Sequence, residues 1–372
     1  MISWSNLELS TGEKLRAKSI GAPICSSGEL VFTTAMVGYT EALTDPSYFG
    51  QVLVFAYPLI GNYGIPNKTT QTISNLESQF ESAKGHVSAV IVADTDPNVH
   101  HWTSQKNLHE WLLQENIPGL TGLDTRFLIN KIRENKQIFA RILPENTSKN
   151  NNASNIEFDH KKSFFNPNKH NLNKFVSTKK RQLIGKGKYR IAVYDFGVKW
   201  SILRQLLNLN CEIELLPYNT PAENVDCSGW LLSNGPGNPI HSKDSVNNIE
   251  KLLLQNKPIL GICLGHQLLA LACKAKIDFM NYGHRSHNQP VKAINSNKAF
   301  ITSQNHSYVV EKNSLPKDWE VWFSNINDNS VEGIKHKYKP FMGVQFHPEA
   351  AGGPKDTKWI LEHYIDQIKT SR

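Results

Sequence analysis

The sequence predicts an α/β protein of two unlike parts, and three observations predict it. From Tyr189 onward, short apolar runs alternate with amphipathic ones: "YRIAVYDF", "SILRQLLNLN", "CEIELLPY", "GWLLSN", "SVNNIEKLLLQN", "PILGIC", "GHQLLALACKA". Strand and helix alternating at this pitch make parallel βαβ units, an open doubly wound sheet with helices on both faces. Residues 1–145 keep a different rhythm, richer in strands, and 146–187 are polar and asparagine-heavy with little periodicity. At 372 residues the chain is long enough for two cores.

In the first part, "LVFTTAMVGY" and "GQVLVFAYPLIGNYG" are strand-like runs with turn residues between them. "SAVIVAD" is a further strand, and "NLHEWLLQENI" and "RFLINKIREN" have helical spacing. The polar stretch 146–187 is read as a linker with one short helix at 170–176 and as the place for local disorder. Residues 188–372 then form the second domain. No fixed period recurs along the chain, which excludes a solenoid.

Composition narrows the function classes. Hydrophobic residues at 39% and charged residues at 20% suit a globular fold. No apolar run is long enough for a membrane span. The opening "MISWSNLELSTGEK" has neither the order of a signal peptide nor that of a transit segment, so a cytoplasmic location is expected. Cys25, Cys211, Cys227, Cys263 and Cys273 are scattered, with no CxxC pair, so neither a disulfide framework nor a metal site is expected. The net charge of +8 raises nucleic acid as a partner, but its densest basic stretch, "STKKRQLIGKGKYR", lacks the aromatics of a stacking platform. No nucleic acid and no membrane partner is expected.

Chemistry concentrates at Cys263. Placed between Gly261 and Gly265, where a strand becomes a helix, its thiol meets a helix amino terminus, which favours negative charge. The next amide, that of Leu264, points where an oxyanion would form. The pentapeptide alone leaves open a small hydrophobe filling a tight junction. A nucleophile needs a base, and "FMGVQFHPEA" ends a strand at His347-Pro348-Glu349, where proline holds the carboxylate near the imidazole. By itself this pattern is more often a capped strand end than a catalytic base. His266 is a rival base, but its helical position turns it away from Cys263. "LLSNGPGNP" carries Gly235 and Gly237 in a turn that lets backbone amides approach a ligand, and "ITSQNHSYVV" places Gln304, Asn305 and His306 at the end of a strand.

Taken together and in this order, Gly-Ile-Cys-Leu-Gly-His-Gln, Ser-Asn-Gly-Pro-Gly-Asn-Pro and Gln-Phe-His-Pro-Glu-Ala resemble the triad (class I) glutamine amidotransferases. Residues 28–64, with "LTGLDTRFLINKIRE" and "YRIAVYDFGVKWSILRQL", are similar to the carbamoyl-phosphate synthase small-chain family. The resemblance covers nearly all the chain except the linker. It implies that Cys263 attacks the side-chain amide of glutamine, that His347 is base and then acid, and that Glu349 orients it. It implies an oxyanion hole from the amides of Leu264 and Gly237. The glutamine site would be lined by Gly235, Gln267, Asn305, Ser307 and Tyr308, with Ser47 reaching the polar end of the substrate from the first domain. It further implies ammonia transfer to a large chain, in a heterodimer or higher oligomer, that uses ATP, Mg and bicarbonate to make carbamoyl phosphate for arginine and pyrimidine synthesis. No cofactor is expected in this chain, which has no phosphate-binding Gly-x-x-x-x-Gly-Lys-[Ser/Thr] loop.

Three positions depart from the family pattern. Ser307 stands where glycine is usual, Trp200-Ser201 follow Lys199, and "VFTTAMVGY" replaces an Asn-Thr-Ser-Met sequence. The competing readings are a free-standing Cys-His γ-glutamyl hydrolase and a non-catalytic regulatory subunit. The extra first domain argues against the former, and Cys263, His347 and Glu349 together argue against the latter.

Overall fold

The computed structural model describes residues 3–66, 72–73, 76–77, 79–98, 101–145, 158–223, 225–294 and 296–371. The chain divides into two compact units, 1–72 with 77–170, and 73–76 with 171–372.

The first unit is a closed barrel of seven strands: β1 (Trp4–Leu9), β2 (Lys14–Gly21), β3 (Ser26–Thr33), β4 (Gln51–Phe55), β5 (Ala89–Val92), β6 (Pro118–Thr121) and β7 (Phe139–Pro144). They run in the order β1-β7-β3-β4-β5-β6-β2, which leaves the sheet without an edge. β4 and β5 are fully buried apolar strands, apart from the half-buried Gln51. Among the described residues, three α-helices accompany the barrel: α1 (Tyr39–Thr44), α2 (Leu108–Gln114) and α3 (Thr125–Glu134). A capping box between Asn107 and Glu110 starts α2, and the Asp124 side chain caps α3. The run "LVFTTAMVGY" is not one strand. β3 stops at Thr33, Met36 and Val37 are exposed, and Gly38 at φ 82° turns the chain into α1.

The segment read as a linker is shared between the two units, divided at His170. Phe165 and Pro167 pack beneath Gly50 of the first unit. The short helix falls at Asn173–Val176 (α4), where Asn173 donates to the Ser242 hydroxyl in the second unit. Residues 146–157, where disorder was expected, lie outside the described residues.

The second unit is a ten-stranded sheet: β8 (Gln182–Ile184), β9 (Tyr189–Asp195), β10 (Cys211–Pro217), β11 (Gly229–Leu232), β12 (Ile259–Ile262), β13 (Ile277–Ala293), β14 (Ala299–Val310), β15 (Trp319–Asn325), β16 (Val331–His336) and β17 (Phe341–Val344). The order is β8-β10-β9-β11-β12-β17-β16-β14-β13-β15. The five strands from β10 to β17 in that order are parallel, as the alternating pattern predicts. Helices α5 (Trp200–Asn208), α6 (Lys243–Leu252), α7 (Leu264–Ala272) and α8 (Trp359–Thr370) complete it. Apolar clusters cover both faces: Ile202, Leu206 and Tyr364 belong to one, and Leu268, Leu269 and Ile249 to the other.

Candidate active site

Four neighbouring parallel strands, β9, β11, β12 and β17, each deliver a chemistry-bearing segment at the carboxyl end. β12 delivers Cys263, whose backbone is held at φ 52° and ψ −103°, a costly conformation for a side chain with a Cβ. The surroundings enforce it. A Cβ on Gly261 would lie 2.7 Å from the Gly265 carbonyl carbon, and one on Gly265 would lie 2.1 Å from the Leu232 carbonyl oxygen. The Cys263 amide donates to the Val344 carbonyl at 2.9 Å, locking the elbow onto β17. The flanking glycines therefore serve close approach rather than looseness. As the first helical residue of α7, Leu264 presents an amide without an intrahelical acceptor.

β17 leads into the base. His347 is buried, and its amide donates to the Ser303 carbonyl at 2.9 Å. Its Nδ1 meets Glu349 Oε1 at 2.6 Å, which leaves Nε2 without a hydrogen-bond partner. The same Glu349 oxygen accepts from Lys199 Nζ at 2.8 Å. Burial alone would raise the Glu349 carboxyl, but Lys199 and His347 beside it hold it well below the carboxylate range. For His347, burial and Lys199 oppose the charged form. The Glu349 carboxylate, aided by the Cys263 sulfur, overcomes both and raises it to about 10. The ring is thus oriented, charged by its carboxylate, and turned toward the thiol. The Gln205 side chain fixes the position of Glu349 by donating to its backbone carbonyl at 2.8 Å.

β9 supplies Lys199 through the turn "DFGVK". The buried Asp195 carboxylate accepts from the amides of Gly197 and Val198 at 2.9 and 2.8 Å, which shapes that turn. The Lys199 amide in turn donates to Asn234 Oδ1 at 3.1 Å, tying the turn to the loop after β11. In that loop a Cβ on Gly235 would lie 2.1 Å from the Phe196 carbonyl oxygen, and Gly237 has φ 91°. Both positions demand glycine.

The remaining predicted residues distribute as follows. Asn305 places its carbonyl 3.7 Å from Cys263 Sγ. Gln267 is buried and donates to the Tyr308 carbonyl at 2.9 Å and to Gln345 Oε1 at 3.0 Å. Ser307 lies within β14 with no positive φ, so its replacement of glycine carries no backbone strain, and its hydroxyl accepts from Arg285. Ser47 belongs to the first unit, in a 3-10 turn where Asp45 accepts from its amide at 2.8 Å. His266 is fully buried against Gly343 and held down to about 3 by that burial, which suits the structural role read from its position. Trp200 opens α5 and packs against one face of the sheet.

Two residues escaped the sequence reading. Lys199 is almost fully buried against Glu349; the signal was a lysine inside an otherwise apolar strand-to-helix turn. Gln345 is fully buried with Nε2 3.6 Å from Cys263 Sγ; the signal was the one amide in "FMGVQF". As potential metal ligands, His284, His306 and Glu332 converge within this unit.

Comparison with known proteins identifies the family. Residues 192–367 match the family described as Glutamine amidotransferase class-I, and residues 7–142 match Carbamoyl-phosphate synthase small chain, CPSase domain. The chain is 41% identical over 365 residues to the carbamoyl phosphate synthase arginine-specific small chain of Neurospora crassa, covering 96% of this chain and 78% of that one. It is 41% identical over 368 residues to the protein of the same name from Schizosaccharomyces pombe, covering 98% and 87%. It is 40% identical over 365 residues to the multifunctional protein CAD of Squalus acanthias, covering 97% of this chain and 16% of that one. Among solved structures, a glutamine amidotransferase from Thermotoga maritima aligns with 49% of this chain and 84% of its own, at TM-score 0.37 and 22% identity. With both of its halves matched in order and its similarity running almost end to end, the chain belongs to the carbamoyl-phosphate synthase small-chain family, and its second domain is a class I glutamine amidotransferase.

Proposed function

We propose that this chain hydrolyses glutamine as the small subunit of carbamoyl-phosphate synthase and hands the ammonia to a large chain. One observation carries the reading: a buried Cys263 on a strained elbow faces the free Nε2 of His347, whose other nitrogen is pinned by Glu349. With the thiol proton already held on His347, Sγ bonds to the amide carbon of glutamine. The amides of Leu264 and Gly237 take the oxyanion; removing one such donor costs about 3 kcal/mol of barrier. His347 then gives its proton to the departing ammonia, leaving a glutamyl thioester. Water, deprotonated by His347, cleaves that thioester to glutamate and frees the thiol.

The glutamine contacts assigned to Gly235, Gln267, Asn305, Ser307 and Tyr308 belong to the same proposal, and for Ser47 the family resemblance alone carries it. ATP, Mg and bicarbonate are used on the large chain, in a heterodimer or a larger assembly, and the product serves arginine and pyrimidine synthesis. Cytoplasmic residence is supported by five cysteines that are all unpaired. Among the described residues, no helix is long and apolar enough to cross a membrane.

The test is glutamate release from glutamine by the purified chain, alone and with a cognate large chain and ATP. A low rate that rises on adding the partner supports a coupled ammonia donor. Fast hydrolysis indifferent to the partner identifies a free glutaminase, and no hydrolysis under either condition makes the chain regulatory.

A further inference from the structure

β13 and β14 pair so that His284 faces His306 directly across the two strands, their rings 5.0 Å apart. Glu332 reaches the same point from β16. All three side chains are buried, and one ligand atom of each lies within 4.8 Å of the others. No metal site was legible along the chain, because the members of this group come from three strands with no metal-ligand spacing.

The hydrogen bonds around the histidines decide what the group can hold. His306 Nδ1 lies 3.0 Å from the Tyr308 carbonyl, which can only accept, so Nδ1 carries the proton and Nε2 presents a lone pair. His284 Nε2 lies 2.9 Å from Asp328 Oδ2, which fixes that proton in the same way and turns Nδ1 inward. Between these two inward nitrogens stand more acceptors. Gln304 Oε1 is 2.7 Å from His284 Nδ1 and 3.1 Å from His306 Nε2. Glu332 Oε1 is 3.3 Å from the former and 3.9 Å from the latter. Gln304 Nε2 donates to Thr302, which orients the amide oxygen toward the centre. The second Glu332 oxygen is buried without any hydrogen-bond partner. With the Gln304 oxygen turned inward, four lone-pair donors converge, a set that an added proton on His284 or a cation would join.

We propose that His284, His306 and Glu332 form a binding site for a divalent zinc ion, with the Gln304 amide oxygen completing the set. Two imidazoles and a carboxylate are ligands that zinc favours, and its bond lengths place tetrahedral donors about 3.3 Å apart. The 3.3 and 3.9 Å separations from Glu332 lie near this, whereas the 2.7 Å between Gln304 Oε1 and His284 Nδ1 must lengthen and the three ligand atoms, within 4.8 Å of one another, must draw in. The outer contacts follow the pattern of metal-binding histidines, whose other nitrogen is held by a carboxylate or a backbone carbonyl: here Asp328 and Tyr308. Zinc there would staple β13, β14 and β16 together. Because β14 also carries the Asn305 carbonyl beside the Cys263 sulfur, the staple would hold one wall of the thiol site. The proposal stands apart from the glutaminase reading.

The test is Zn²⁺ titration of the chelator-treated, untagged full chain by calorimetry, with Co²⁺ as a spectroscopic probe. One equivalent of Zn²⁺ should bind, and Co²⁺ should give the intense visible bands of a tetrahedral centre. Glu332→Gln keeps the shape and the Ser330 and Asn325 contacts while removing the charge; it should abolish the cobalt bands, as should His284→Asn. Asp328→Asn should weaken binding by about ten- to hundredfold through the outer contact. Far-UV circular dichroism verifies that each variant is folded. No stoichiometric binding by the wild-type chain, or binding that Glu332→Gln and His284→Asn leave unchanged, overturns the site and leaves the proton on His284 as the link.

Discussion

Replacing Glu349 by glutamine keeps the shape of the carboxylate while removing the charge that serves two cations. At 2.6 Å from His347 Nδ1 and an effective dielectric of about 20, the gross attraction to an imidazolium is about 6 kcal/mol. The direction agrees: Glu349 and the Cys263 sulfur raise His347 to about 10 against burial and Lys199, which lower it. Glutamine at 349 leaves burial and Lys199 acting on the ring, and both oppose its charged form. Protonation of His347 by the thiol therefore becomes unfavourable, and kcat should fall by about 10² to 10⁴, that is by about 3–5 kcal/mol of barrier. The variant also removes the carboxylate charge opposite the buried Lys199 ammonium, which costs about 3–5 kcal/mol of stability. The double variant Lys199→Met/Glu349→Gln removes both charges of the pair, so it should recover stability without recovering rate. The assay is glutamate release at saturating glutamine beside urea denaturation of the same preparations. A Glu349→Gln enzyme within tenfold of wild-type kcat, or a double variant that regains rate along with stability, refutes the assignment of Glu349 as the group that charges His347.

Other outcomes follow from the same geometry. Cys263→Ser should abolish glutamate release, while the complex with a large chain still makes carbamoyl phosphate from free ammonia; loss of both activities would contradict the division of labour. Gly265→Ala should lower Tm clearly and cost at least about 1–3 kcal/mol, because its Cβ would lie 2.1 Å from a backbone oxygen that no rotamer change can move. Ser307→Gly should leave kcat/KM within about threefold, since Ser307 already has ordinary strand geometry, and should lower stability by about 0.5–1 kcal/mol. His347 has a folded-state pKa raised to about 10, so its ionic contribution to stability is complete below about 6.5 and is lost as pH rises through about 10. The difference in Tm between wild type and His347→Asn should therefore shrink from pH 7 to pH 10; a constant difference would argue against an ionised pair.

The parallel core was legible because buried strands write themselves as apolar runs, as in "YRIAVYDF" and "PILGIC", and the helices between them keep a regular apolar face. Cys263 was legible because only glycines fit at 261 and 265, and that steric demand appears locally. Lys199 was not, since its partner is 150 residues away and the pair is created by the order of β9 and β17 in the sheet. The barrel was hidden for a similar reason. Its closure joins Trp4–Leu9 to Phe139–Pro144, and neither strand carries a mark of the other. The long β13 was hidden by its own polarity: "IDFMNYGHRSHNQPVKA" alternates poorly because several of its polar side chains face a buried polar network rather than solvent. Ser307 shows the converse, a departure from a family pattern that the strand accommodates through a side-chain bond to Arg285.

The division of the site among four strands has a consequence for how the protein matures. Lys199, the Asn234 loop, Cys263 and His347 meet only when β9, β11, β12 and β17 have all paired in register, and residues 199 to 349 must be in place before the first turnover. Loop closure over such separations is slow compared with helix formation. During refolding, circular dichroism should therefore recover before glutaminase activity does, and the interval between them measures the time the sheet takes to settle its last register. A truncated or stalled chain can be helical and compact and still carry an idle thiol.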